Sequence, residues 1–251
     1  MGKILTIILL SFLFLSNSNA ACDDPLTEGV DYSNCRFSDS QDLQGSYLPN
    51  SNLSFSSFIQ VNFDKSIMMT SNLSFGTFPE STFVRANLYE SISVGANFEK
   101  TNFTGANLTR VDFMGATLIE ANFQNSNLME ANFTSSNITN ANFDGANLTG
   151  ATWTNGQTCG PESTFVRANL YESVSIGANF EKTNFTGANL TRVDFMGATL
   201  IEANFQNANL MEANFTSSNI TNTNFDGANL TGATWTNGQT CGPESIGTCK
   251  Q

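Results

Sequence analysis

The sequence predicts a solenoid wound from short repeats, and three observations carry that prediction. From residue 43 onward an apolar side chain falls at every fifth position. Residues twenty apart tend to be of one kind, Phe over Phe and Leu over Leu. Residues 80–161 also recur as 162–243 with four substitutions in 82 positions. A period of five suits neither an α-helix nor a flat strand, whose patterns repeat at 3.6 and 2 residues.

The apolar centres run from Leu43 and Leu48 through Phe63, Phe83 and Phe103 to Trp153, with Ser93 the one polar exception in this block. Two residues before each centre stands a small or short residue, as at Ala86, Ala96, Ala106 and Ala116, and Asn usually lies between. The resulting words, "ANFEK", "ANLTR", "ANFQN" and "ANFDG", resemble the pentapeptide-repeat family over roughly residues 43–153 and 163–235. The resemblance implies an all-β fold, a right-handed quadrilateral parallel β-helix. Four pentapeptides make one square coil; the centre and the residue two before it point inward, and the other three face solvent.

The chain tests that geometry by itself, because four units per coil require like residues to stack twenty apart. One column reads Leu43, Phe63, Phe83, Phe103, Phe123, Phe143, and the next Leu48, Met68, Leu88, Leu108, Leu128, Leu148. Each coil buries four large side chains, a gain of roughly 6–12 kcal/mol. The conformational entropy of its twenty residues cancels most of that. Stability is therefore collective between neighbouring coils, and the ends need caps.

The duplication explains why "TCGPES" stands at both 158–163 and 240–245. "PES" also occurs at 79–81, so unequal recombination between two such words yields this chain from a parent 82 residues shorter. The first copy is then half of a fossil ending. The predicted organisation is a signal peptide at 1–20, an N-terminal cap at 21–42 and a first repeat block at 43–153. A bulged connecting loop follows at 154–162, then a second block at 163–235 and a C-terminal cap at 236–251. Trp153 and Phe165 are twelve residues apart rather than ten, and Gly156, Gly160 and Pro161 suit a bulge there. One continuous β-helix with a protrusion is expected; two stacked or hinged β-helices are the alternative.

Residues 1–20 read as an export signal: Lys3, the apolar run "ILTIILLSFLFL" and the small-residue site "SNA" before Ala21. The apolar run is too short to span a bilayer, and no membrane span is expected once the signal is removed. The expected location is periplasmic or secreted, an oxidising setting in which paired cysteines persist. Of the five cysteines, Cys22–Cys35 and Cys241–Cys249 are expected to staple the two caps. Cys159 is left over, a harmless thiol or a link to another chain.

Composition excludes most chemistry. The chain has no His, and 10 basic against 22 acidic side chains give a formal charge of −12. That balance disfavours a grip on nucleic acid. No cofactor, metal site or catalytic residue is expected, and the protein reads as a non-enzymatic structural or protein-binding scaffold with an unknown protein or surface ligand. Self-association is a further expectation. Some proteins of the family it resembles mimic DNA and bind type II topoisomerases; the acidic charge fits, while export and a thin charge density oppose it. An ice- or polysaccharide-binding lattice is a third reading, weakened because Thr104, Thr109, Thr134, Thr139 and Thr149 fall on different faces.

Outward apolar residues mark a candidate contact patch: Phe55 and Phe75, stacked one coil apart, with Met69 and Tyr89 in another column. "SISVG" at 91–95 and "SVSIG" at 173–177 invert the pattern. Either the frame shifts locally to turn an apolar residue inward, or these residues extend a contact patch. Twelve Asn-X-Ser/Thr words follow from the repeat itself and are expected to carry no glycan.

Overall fold

The computed structural model describes residues 22, 26–37, 39–153 and 163–251. The expected signal segment and the expected connecting loop with Cys159 lie outside the described residues. Within the described part, each pentapeptide contributes a short extended stretch and then a two-residue turn. The second turn residue is left-handed, with φ near +55° at Arg85, Glu90 and Lys100, and Gly takes the same place at Gly95, Gly105 and Gly115. A quarter-coil of five residues leaves room for only one bridging residue per face. The sheet is accordingly a ladder of single parallel bridges: Asn102 with Asn122, Asn107 with Asn127, Asp112 with Asn132, Thr117 with Asn137.

Four faces result. Face 1 carries the centres Phe63, Phe83, Phe103 and Phe123; face 2 carries Met68, Leu88 and Leu108. Face 3 carries Leu73, Ser93 and Phe113; face 4 carries Phe78, Phe98 and Leu118. All of these side chains are buried. Hydrogen bonds repeat with the coil. Phe83 donates its N–H to Asn102 O at 2.7 Å, Arg85 to Thr104 O at 3.0 Å, and Asn102 back to Ser81 O at 3.0 Å, while Ala86 closes the turn onto Phe83 O. Some inner Ser and Thr side chains donate to the preceding coil, as Ser71 Oγ does to Leu48 O (2.6 Å) and Thr101 Oγ1 to Phe78 O (2.7 Å), and others close onto their own turn, as Ser126 Oγ does on Phe123 O (2.7 Å).

The bridging Asn has its own reason. Asn102 Oδ1 accepts the N–H (3.0 Å) and the hydroxyl (2.6 Å) of Thr104, closing a local turn. The amide of Asn107 reaches Asn87 Oδ1 in the coil before, at 3.0 Å. The Asn-X-Thr words are thus clips within and between coils, which is why they recur.

The axis is aromatic. Phe83 stacks on Phe103 at 5.1 Å, Phe103 on Phe123 at 5.0 Å, and the rings of adjoining faces meet edge to face, as Phe83 and Phe98 do at 6.1 Å. Such pairs add about 0.5–1.5 kcal/mol each beyond area burial.

The ladder starts before the clean repeats do. Asp31 bridges Asn52 and Arg36 bridges Ser57, each 21 residues on, and Phe37 stacks on Phe58 at 4.2 Å. The segment expected as a cap therefore supplies coil of its own, with Tyr32 and Cys35 in the core. Its signal was hidden because six residues, not five, separate the centres Phe37 and Leu43. Cys22 is joined to Cys35 there.

Across the block junction the ladder steps by 22 residues: Asn142 with Thr164, Asn147 with Asn169, Thr152 with Val174. Phe143 stacks on Phe165 at 4.7 Å, so faces 1 to 3 and the core run through. On face 4 the described ladder runs from Thr117 to Asn137 and again from Asn179 to Thr199; the segment between those coils lies outside the described residues. At the far end the chain folds back antiparallel, Thr234 against Thr240 and Asn229 against Ile246, and Cys241 is joined to Cys249.

Candidate contact surface

The left-handed turn position sets each corner of the square, and Phe55 and Phe75 occupy it between faces 3 and 4 with φ of 58° and 57°. From that conformation the side chain has no route to the core. Both rings lie on the surface, 59% and 53% exposed, stacked on one another at 5.1 Å and 14°. Gly95 continues the same corner column and seats Phe75: a Cβ on Gly95 would stand 2.7 Å from Phe75 Cε1.

Met69 and Tyr89 are not part of that cluster. They lie on face 2 at its corner with face 3, half-buried, and the Tyr89 hydroxyl accepts from Arg110 Nη1 at 3.3 Å. The patch expected from four residues is therefore an aromatic pair on one side of face 3 and a separate column on the other. Column arithmetic placed each residue at the right height; which side of the face each column borders depends on how the turn is oriented.

Face 3 between them carries apolar residues of its own. Ile92 is 46% exposed and Met114 42% exposed, with Val94 partly exposed beside them, and Met196 repeats Met114 in the second block. Met114 and Met196 went unread in the sequence, although the column Ser54, Ser74, Val94, Met114 was there to show it. The inverted "SISVG" unit undergoes no frame shift. Ser93 is fully buried, and the ladder runs on in register through Asn72, Ile92 and Asp112. A one-residue slip would unpair the coils on both sides and turn every side chain of the unit over, a larger penalty than one misplaced serine. Ser91 and Ser93, and their copies Ser173 and Ser175, hold buried hydroxyls without a hydrogen-bond partner.

The acidic surface is partly self-neutralised. Arg110 Nε donates to Glu130 at 2.7 Å and its Nη1 to Glu90 at 3.2 Å, and Arg192 repeats this with Glu212 and Glu172. The Tyr89 hydroxyl and the Arg110 guanidinium hold the Glu90 carboxyl below its ordinary range. Tyr171 and Arg192 do the same to Glu172. A shallow groove of about 260 Å³ lies at the corner of faces 1 and 2, lined by Gln124, Asn125, Asp144, Gly145, Val166 and Arg167. Its two charged groups have opposite sign and nothing in it pairs a nucleophile with a base.

A rod of stacked coils that displays side chains on flat faces is a solenoid of the presenting kind. The sequence pattern of the pentapeptide repeats matches residues 42–74, 81–118, 112–150, 163–200 and 194–232, and the chain belongs to that family. The fold is its right-handed quadrilateral β-helix. Among solved structures the chain is similar to HetL, a pentapeptide repeat protein involved in heterocyst differentiation regulation from the cyanobacterium Nostoc sp. strain PCC 7120. That match has 20% identity and a TM-score of 0.51, covering 85% of this chain and 92% of HetL. Further matches are QnrB1, a plasmid-mediated fluoroquinolone resistance protein (16% identity, TM-score 0.37, 69% and 90% covered), and Rfr23 from the cyanobacterium Cyanothece 51142 (23%, 0.30, 59% and 90%). No curated protein matches the chain in sequence.

Proposed function

We propose that this protein is an exported, non-enzymatic scaffold whose Phe55–Phe75 corner is a contact for a protein partner. One observation carries the contact: two large aromatic rings stand exposed on a polar Asn/Thr/Ser rod, where the same backbone position elsewhere among the described residues takes Gly or a polar residue such as Glu, Arg, Lys, Asn or Ser. Exposing that apolar area has a cost that burial against a partner recovers. Export is supported by the charged-apolar-small order of residues 1–20 and by two cysteine pairs that need an oxidising compartment. The absence of His and the self-neutralised charges favour presentation of side chains over acid–base chemistry.

Two measurements test this reading. Amino-terminal sequencing of the protein from the envelope or medium of the producing cell is expected to begin at Ala21; an intact Met1 terminus in the cytosol would overturn export. Affinity capture is run in parallel with the native chain and with Phe55→Ser/Phe75→Ser. A partner retained at least about tenfold better by the native chain supports the contact, a difference worth about 1.4 kcal/mol. Equal retention removes the corner from the proposal.

A further inference from the structure

The column of large side chains on face 3 is broken by a serine in each block. In the second block Trp153 stacks on Phe133 at 4.2 Å and Phe195 on Phe215 at 5.5 Å, but the centre between Trp153 and Phe195 is Ser175. The coils stay in register there: Trp153 donates its N–H to Val174 O (2.6 Å) and Val174 donates to Ala151 O (2.9 Å). Trp153 and Phe195 are therefore two coils, roughly 10 Å, apart, and a serine does not fill the place that a ring or a leucine takes elsewhere in the column. Phe180 closes one side, edge-on to Trp153 at 6.3 Å and to Phe195 at 5.9 Å. The residues around this place carry three buried polar atoms, Trp153 Nε1, Ser173 Oγ and Ser175 Oγ, and none has a hydrogen-bond partner among the described residues.

The three atoms are not equivalent. A serine hydroxyl can turn to a carbonyl, as Ser126 does to Phe123 O and Ser71 to Leu48 O. The indole N–H cannot turn, because its ring is held by the stacked Phe133 and by the edges of Phe143 and Phe165 at 5.5 and 5.6 Å. It can only donate, and left alone it bears the full cost of its desolvation. The serines nearby offer oxygen atoms, yet neither is bonded to it. Buried polar groups that fall short of a direct bond are joined by water where there is room and there are two to four partners.

We propose that the core of the second block binds one internal water, anchored by the Trp153 indole. Nε1–H donates to the water oxygen, and the water donates to the hydroxyl oxygens of Ser175 and Ser173. A water takes about 30 Å³, less than the side chain of the Leu or Phe that occupies the other centres of the column. The first block shows why the indole matters. Ser91 and Ser93 are likewise buried without partners, but the coil before them supplies Leu73, which has no polar side-chain atom to hold a water. The duplication copied both serines, and only the second pair came to rest on a tryptophan. The site is thus a product of the junction, and it is independent of the Phe55–Phe75 corner. A leucine at 175 would expel the water, so part of the gain from filling the place would be offset by the stranded N–H.

Oxygen-17 relaxation dispersion of the solvent counts long-lived internal waters, and it is applied to the disulfide-intact chain and three variants. Ser175→Leu fills the place, Trp153→Phe keeps a ring but removes the N–H, and Ser93→Leu fills the counterpart in the first block. The signal is expected to fall by the equivalent of one water in Ser175→Leu and in Trp153→Phe, and to stay unchanged in Ser93→Leu. An unchanged signal in Ser175→Leu overturns the proposal. So does an equal fall in Ser93→Leu, since the indole is then not the anchor. Should a variant fail to fold, a high-resolution crystal structure of the unaltered chain decides: an ordered water within hydrogen-bond distance of Trp153 Nε1 and Ser175 Oγ supports the proposal, and its absence overturns it.

Discussion

Two stretches of this chain, 80–161 and 162–243, are nearly the same sequence in two surroundings, and the contrast separates local from contextual effects. Trp153 and Trp235 are duplicates. Trp153 is fully buried, stacked on Phe133 at 4.2 Å, with Phe165 of the next coil edge-on at 5.6 Å. Trp235 has no coil beyond it, is only partly buried and is tilted against Phe225. Gly95 and Gly177 are duplicates too; a Cβ on Gly95 would strike Phe75, while one on Gly177 would meet nothing within 4 Å among the described residues. The backbone conformation of a unit follows its own five residues. What a side chain touches follows the coil before and after it.

The largest expected effect sharpens that contrast. Trp153→Ala should lower stability by about 3–5 kcal/mol, because the coils on either side cannot collapse into the gap. Trp235→Ala should cost clearly less, since part of that ring is already in water. Chemical denaturation of the two variants checks the difference, and equal losses would break the account of the second Trp as an end residue.

Next comes the inverted unit. Ser93→Leu and Ser175→Leu each replace a partnerless buried hydroxyl with the residue that Leu73 already supplies in the same column, and each should stabilise by about 1–3 kcal/mol. The sites are four coils apart, about 19 Å, so the gains should add in the double variant. A loss of stability in either would mean the surrounding rings already fill the space.

Smaller still are the glycines. Gly95→Ala and Gly177→Ala both place a Cβ at a positive φ and should each cost roughly 1 kcal/mol. Gly95→Ala should cost more, because the Phe75 ring must also move, and it should weaken whatever the aromatic corner binds. Equal losses would show that the stacked pair is not seated by Gly95.

The smallest effect is electrostatic. Glu90 and Glu172 titrate below the ordinary carboxylate range, their hydroxyl and guanidinium partners favouring the charged form. Their contribution to stability is therefore present above the unfolded pKa and fades as pH falls through the lowered folded value. Both groups are solvent-exposed, so salt should screen the effect, and the two copies should titrate alike in carboxyl NMR. A difference between them would mean that the neighbouring coils reach this ladder.

The sequence alone determined the coil. A centre every five residues and like residues every twenty are enough to specify a square winding, since only that winding buries Phe103 on Phe83 and Leu108 on Leu88. The cysteine pairs were legible for a related reason: each brackets a chain end. Three things waited for the tertiary structure. The six-residue unit before Leu43 hid a coil, because the backbone absorbed the extra residue where a pattern search loses phase. The separation of Phe55 and Phe75 from Met69 and Tyr89 depended on which way the left-handed turn points its side chains. That the N–H groups of Phe225 and Gly227 find no backbone acceptor among the described residues, where Phe143 and Gly145 donate to Thr164 and Val166, could not be read from residues that are repeated almost letter for letter. Side-chain direction and hydrogen-bond occupancy are properties of the stack, and the stack exists only after the coils have been laid one upon another.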